Sequence, residues 1–326
     1  MRFAILGCGG IAHKLAKTIT KMSDVEPYAI ASRDKDKAEA FSSQYGFTKA
    51  YGSYEAMLAD DNVDLVYIAV PHSHHHEWTL KTLSAGRNVL CEKPFAVNEA
   101  QAREMVELSE KKQLLLAEAM WTRYMPSKKM LMEVLESGTI GQLCTLSANL
   151  GYPINMNDRI VNPALAGGAL LDLSVYTLNF ASMVWGDDIK SIHASCVMTD
   201  TGVDGQDNIM LEYQDGRMAS LFATIYTLTN RMGHIAGTGG FIEVENINNP
   251  QEIRIYAPDR DNPRLLERIK GPEQITGYEY EVLACMKAIG EKRIECPEMP
   301  HSQTIQITCQ MDRIREQLGI KYPFES

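Results

Sequence analysis

Arg2-Phe3-Ala4-Ile5-Leu6-Gly7-Cys8-Gly9-Gly10-Ile11-Ala12 opens the chain as a short apolar run that stops at a glycine, and a helical pattern follows through Lys21. Gly7, Gly9 and Ala12 fit G-x-G-x-x-G/A. The first glycine permits a tight turn, and the second lets a pyrophosphate approach the backbone. The small third residue packs helix on strand, and the helix N-terminus offers unpaired N–H groups to the anion. Placed after a strand and before a helix, Gly7, Gly9, Gly10, Ile11 and Ala12 are candidate cofactor-binding residues for a dinucleotide.

Working outward, Tyr28–Ala31, Leu65–Val70, Asn88–Cys91 and Leu114–Ala117 repeat the continuous apolar run, with helical stretches between them. That rhythm indicates a parallel sheet buried on both faces, and right-handed crossovers make it doubly wound. The fold class is therefore α/β, an N-terminal Rossmann sheet. After about residue 122 the rhythm changes. A helix over 127–137 precedes strand-like runs at 143–150, 189–198, 209–213, 218–224 and 241–244, with a helix at 169–184. Asp215-Gly216 reads as a hairpin turn, and the last fifty residues read as helices over 280–289 and 302–318. The expected division is a dinucleotide-binding domain at 1–121 and an α+β domain at 122–326, with a mainly antiparallel open sheet for substrate binding and oligomerisation.

The 326 residues are 45% hydrophobic and 23% charged, the balance of a globular protein, which excludes collagen-like, coiled-coil and disordered chains. Acidic residues outnumber basic ones by 42 to 32, a poor match to nucleic acid or anionic lipid. No apolar run reaches the roughly 18–20 residues of a membrane helix, and the N-terminus has no signal-peptide cleavage pattern. Seven cysteines, none in C-x-x-C spacing, read as reduced thiols. The chain is expected to be cytoplasmic.

An NAD site places a carboxylate on the ribose 2′-hydroxyl about 20 residues past the glycine motif. Here that position holds Ser32 and Arg33, with Asp34 two places later and Lys37 a turn beyond. A hydroxyl and a guanidinium suit a 2′-phosphate, so NADP(H) is preferred over NAD(H). Cys91-Glu92-Lys93-Pro94 closes the fourth run at the carboxyl edge where open α/β sheets bind ligands. Proline turns Lys93 away from helical geometry, and a lysine beside a nicotinamide can donate or accept a proton.

The glycine turn, Ala69-Val70-Pro71 and Ala85-Gly86-Arg87-Asn88-Val89-Leu90-Cys91-Glu92-Lys93-Pro94 together resemble the glucose–fructose oxidoreductase/inositol dehydrogenase (Gfo/Idh/MocA) family. Residues 118–126, 167–176 and 277–281 are similar to the branch containing dimeric dihydrodiol dehydrogenase, NADP-dependent xylose dehydrogenase and anhydrofructose reductase. The resemblance implies that Lys93 is the catalytic acid/base, with Asp172 and Tyr176 facing the substrate. It adds Ala69, Pro71, His75, Glu92 and Arg159 around the cofactor, and Arg123 and Tyr278 around the substrate. Asp172 and Tyr176 at i and i+4 share a helix face that Asn179 extends. In the implied reaction a hydroxyl lies against Lys93 and Tyr176, hydride passes to or from the nicotinamide, and the proton passes to or from Lys93 or Tyr176. Tyrosine where inositol dehydrogenases carry histidine argues against an inositol.

The function expected is an NADP(H)-preferring oxidoreductase acting on a sugar, polyol or cyclic diol. The alternatives are an NAD-dependent inositol-like dehydrogenase and a non-catalytic dinucleotide-binding sensor. His72-Ser73-His74-His75-His76 invites a metal reading, but adjacent residues do not converge on one ion and no Cys or carboxylate cluster completes a site, so no metal is expected. A homodimer or higher homo-oligomer through the C-terminal sheet is expected on the resemblance and on the exposed surface of such a sheet.

Overall fold

The structure, a computed structural model, describes residues 1–325. It divides into two compact units: Met1–Tyr124 with Gln274–Thr308, and Met125–Glu273 with the chain from Cys309 onward.

The first unit alternates β1 (Arg2–Leu6), α1 (Gly10–Ile19), β2 (Glu26–Ala31), α2 (Lys35–Tyr45), β3 (Lys49–Tyr51), α3 (Tyr54–Leu58), β4 (Leu65–Ile68), α4 (His75–Ser84), β5 (Asn88–Glu92), α5 (Glu99–Lys112) and β6 (Leu116–Ala119). The strands are parallel in the order β3-β2-β1-β4-β5-β6. Phe3 to Leu6 and Leu65 to Ile68 are wholly buried, which is why these runs are apolar without alternation. Asp34, Ser53 and Asn98 cap α2, α3 and α5 by accepting the N–H of Lys37, Ala56 and Gln101. Strand order reverses between β1 and β4, so the carboxyl ends of these two strands form the switch point where such sheets take ligands.

Two details differ from the sequence reading. The three-residue, half-buried β3 is too short and too polar at Lys49 to register as an apolar run. Taking 122–326 as one continuous domain also differs from the observed division, because Gln274–Thr308 belongs with the first unit. The reason is the outer edge of β6. The Leu116 N–H donates to Ile294 O at 2.9 Å, His301 Nε2 lies 2.8 Å from Leu116 O, and Thr304 Oγ1 donates to Glu118 Oε2 at 2.8 Å. This segment, with α9 (Glu279–Gly290) and the start of α10 (His301–Leu318), covers an edge that would otherwise be open.

The second unit holds α6 (Pro126–Glu136), β7 (Leu143–Gly151), α7 (Asp158–Val161), α8 (Val175–Trp185) and seven further strands. These are β8 (Ile189–Met198), β9 (Asp204–Tyr213), β10 (Met218–Thr224), β11 (Gly233–Gly237), β12 (Gly240–Val244), β13 (Glu252–Ala257) and β14 (Arg264–Lys270). The order is β14-β13-β12-β11-β7-β10-β9-β8, antiparallel except where β7 meets β10. Gly216, with φ +87°, makes the expected turn between β9 and β10. One face buries Leu146, Ala148, Ile209, Leu211, Leu221, Ile235 and Ile242, while Met210 and Met218 are exposed. β11, β13 and β14 escaped the sequence reading: Gly-His-Ile-Ala-Gly carries one large apolar residue, charged Glu252 and Arg254 interrupt Glu-Ile-Arg-Ile-Tyr-Ala, and Arg-Leu-Leu-Glu-Arg-Ile-Lys is an exposed edge strand. The helical stretch Pro163–Trp185 is apolar and long enough to cross a bilayer, but 89% of its most apolar 18-residue window is buried inside the protein. It is the core helix that the sheet face packs against.

Candidate active site

The first unit brings the glycine turn together as the spacing predicted. Gly7 has φ +110°, and a Cβ there would lie 2.5 Å from Ala69 O, so β1 and the end of β4 touch backbone to backbone. A Cβ on Gly10 would meet nothing within 4 Å, and the N-terminus of α1 has no side-chain cap. Ala12 is fully buried where helix meets strand. Open space in front of uncapped amides, held by a backbone too tight for side chains, fits a dinucleotide pyrophosphate. Burial pushes the Cys8 thiol up, so Cys8 in the loop stays neutral.

Beyond β2, Ser32 is buried, with its Oγ accepting the Asp34 N–H at 3.2 Å. Arg33 is exposed next in the chain, while Asp34 caps α2 and lies 3.7 Å from Lys37 Nζ. Lys37 therefore already has a carboxylate beside it, and Arg33 is the stronger candidate for a 2′-phosphate.

At the end of β5, Glu92 is buried, and its carboxylate accepts the Tyr67 hydroxyl and, at 3.1 Å, the Lys93 N–H. Lys93 is half-buried and precedes a cis-proline. His75 is fully buried, with Nδ1 2.8 Å from Pro94 O and Nε2 2.9 Å from Val70 O. One imidazole thus ties the loop after β4, with Ala69 and Pro71, to the loop that carries Lys93. His76 pairs instead with Glu104, and the five-residue histidine run does not converge. Among the described residues no cluster of three metal-ligating side chains forms.

Behind this edge lies a buried acidic cluster that sequence reasoning missed. Glu118 on β6 is pushed up to about 7, first by burial, although the Thr304 hydroxyl and the charge of Arg123 oppose the shift. Arg123 is buried at 4% exposure, and its charge acts on the Glu118 carboxyl inside this unit. Glu281, in the first turn of α9, is fully buried without a hydrogen-bond partner among the described residues, and burial followed by the charge of Glu92 holds its carboxyl well above the usual range. Tyr278 stacks on Trp121 with ring centroids 4.2 Å apart. Its loop is fixed by Glu279, whose carboxylate accepts the N–H groups of Ile275, Thr276 and Gly277. None of these carboxyls falls in a spacing that marks a site.

In the second unit, Asp172 and Tyr176 are both nearly buried. Asp172 sits in a five-residue π-helical turn, Leu170–Ser174, that runs into α8. π turns are rare and concentrate at functional positions. Both Arg159 terminal nitrogens lie 3.2 Å from Asp172 Oδ1, so Arg159 on α7 fixes the aspartate that the motif singled out. Asn179 is fully buried on α8, and its Nδ2 donates to Val175 O at 2.8 Å.

Residues 1–120 match the model of the Gfo/Idh/MocA oxidoreductase family with its NAD-binding Rossmann fold, and residues 129–243 match the C-terminal domain model of the same family. Trans-1,2-dihydrobenzene-1,2-diol dehydrogenase of Mus musculus is 31% identical over 99% of this chain and 98% of its own length. The Xenopus laevis protein of that name is 33% identical over 99% of each. Among solved structures, a 3-ketoreductase from Actinomadura kijaniata in complex with NADP and TDP-benzene superposes with a TM-score of 0.88 at 24% identity, covering 98% of each chain. An aldose-aldose oxidoreductase from Caulobacter crescentus, complexed with glycerol, gives 0.85 at 23% identity over 97% of each. These two share the fold, and the family models and the dehydrogenases carry the assignment. The chain belongs to the Gfo/Idh/MocA oxidoreductase family and is an NAD(P)-binding enzyme of that family.

Proposed function

We propose that this enzyme is an NADP(H)-preferring oxidoreductase of sugars, polyols or cyclic diols, with Lys93 as the proton donor and acceptor. The observation that carries the reading is the placement of Lys93 at the carboxyl end of β5, beside buried Glu92, on the sheet edge that also carries the Gly7 turn. NADP, when bound, supplies or takes up the hydride. Gly7, Gly9 and Gly10 hold its pyrophosphate, and Ser32 with Arg33 holds the 2′-phosphate. Lys93 gives a proton to the substrate oxygen during reduction and takes it back during oxidation, while Glu92 fixes the Lys93 backbone. In the second unit, Asp172, oriented by Arg159, is an acceptor and Tyr176 a donor for substrate hydroxyls. The names of the relatives support a diol or sugar substrate, and the NADP in the Actinomadura structure supports the cofactor.

The cofactor half of this reading is tested by titrating the protein with NADPH and NADH, as wild type and as Arg33→Ala. Wild type should bind NADPH at least about tenfold tighter, ~1.4 kcal/mol. Arg33→Ala should remove most of that preference and leave NADH affinity within about twofold. Tighter binding of NADH by wild type would overturn the NADP assignment.

A further inference from the structure

The carboxyl pair Asp204–Asp207 plays no part in the chemistry described so far. The register of β9 against β8 slips between Val197 and Met198, which puts an extra residue into β9 at Gly205. Such a bulge lets residues three apart share a face, and Asp204 and Asp207 are both buried, at 0% and 1% exposure. Asp204 Oδ2 accepts the Leu170 N–H at 2.5 Å, and Asp207 Oδ2 accepts the Ser174 hydroxyl at 2.7 Å. Leu170 and Ser174 are the first and last residues of the π turn that carries Asp172. Each carboxyl keeps its Oδ1 buried, and neither makes an ion pair among the described residues. The groups facing the pair are the Ala169 and Leu170 N–H and Ser174 from the turn, Cys196 on β8, and Tyr322, whose ring lies under Arg315 at 5.2 Å. Two adjacent buried carboxyls do not both ionise. Burial, and then the charge of Asp204, holds Asp207 well above the usual carboxylate range.

We propose that Asp204 and Asp207 are positioning residues: through their hydrogen bonds to Leu170 and Ser174 they pin both ends of the Leu170–Ser174 π turn and so fix where Asp172 presents its carboxylate to the substrate. This rests on the reading of Asp172 as a substrate-binding residue. Without the pair, the turn relaxes toward α-helical winding, which rotates Asp172 about the helix axis and off the Arg159 fork. A displacement of that kind is costly, since a misplacement of about 1 Å is worth up to ~100-fold in rate.

The test is steady-state kinetics of the full chain with NADPH and the carbonyl substrate it turns over fastest in a sugar and diketone panel. The variants are Asp207→Asn, Asp207→Leu, Ser174→Ala and Asp172→Asn. Asp207→Asn keeps a neutral donor and acceptor and should hold kcat/KM within roughly threefold of wild type. Asp207→Leu should lower it by about tenfold or more, and Ser174→Ala by about threefold or more, with NADPH affinity within about twofold throughout. Rescue by asparagine, with cofactor binding untouched, is not what a general loss of stability produces. Wild-type kinetics in Asp207→Leu or Ser174→Ala, alongside an impaired Asp172→Asn, would overturn the pinning role alone. An Asp207→Asn variant as damaged as Asp207→Leu would show that Asp207 does not act through its hydrogen bond with Ser174, and would overturn the pinning role. If Asp207→Leu does not fold, Ser174→Ala decides. Wild-type kinetics in Asp172→Asn would remove the reading of Asp172, and the pair's catalytic role with it.

Discussion

Replacing Lys93 by methionine should lower kcat by about 100- to 10,000-fold, the contribution of a positioned general acid, while NADPH affinity stays within about twofold. Methionine keeps the length and apolar stem of lysine and removes only the ammonium group. The Lys93 backbone N–H still donates to Glu92 Oε2, as it does at 3.1 Å now, so the loop after β5 has no reason to move. The pyrophosphate amides lie after β1 and do not touch the substituted side chain in this reading. Single-turnover oxidation of bound NADPH, followed with a fluorescence titration of the same variant, separates the two effects. Unchanged turnover would remove Lys93 as the proton donor. Lost turnover with equally lost NADPH binding would make Lys93 a cofactor ligand instead.

Gly168→Val should destabilise the protein by about 2–4 kcal/mol, the sum of a strained backbone and an overpacked interior. Gly168 has φ +120°, and a Cβ built there would lie 2.2 Å from Asp204 Oδ1 and 3.0 Å from Asp204 Cγ. Asp204 cannot swing aside without releasing the Leu170 N–H, so the clash and the start of the π turn are one problem. Gly290→Ala is the matched control, since its Cβ would meet nothing within 4 Å and its backbone is helical. Chemical denaturation should show a clear drop in midpoint for Gly168→Val and little change for Gly290→Ala. Equal midpoints would show that the Gly168 backbone has room the geometry denies.

The legible part of this molecule was what local rules control. Gly7-Cys8-Gly9-Gly10 between an apolar run and a helix specifies the glycine turn after β1, where a Cβ on Gly7 would meet Ala69 O. Five of the six parallel strands announced themselves as buried apolar runs, and Asp215-Gly216 located a hairpin. The parts that could not be read depend on contacts distant in sequence. Nothing near Gln274 says that the chain returns to cover β6, because the bonds from Leu116 to Ile294 and from Glu118 to Thr304 span more than 170 residues. The Arg159–Asp172 pair needed the turn between them to be known. Asp204 and Asp207 precede the strand read at 209–213, and only the bulge at Gly205 in the longer β9 puts two residues three apart on one face. Glu118 and Glu281 sit in motifs that the family resemblance marked, yet their burial follows from packing that no spacing reveals.

The measurement that tests the central claim most directly is transfer of label from NADPH deuterated at the nicotinamide C4 to a panel of ketoses, aldoses and cyclic diketones, read by NMR of the products. An oxidoreductase of the kind proposed here places deuterium on the carbinol carbon of at least one sugar or cyclic diol, in proportion to NADPH consumed. Tight NADPH binding without label in any product would contradict that account and make the protein a dinucleotide sensor with an enzyme's fold.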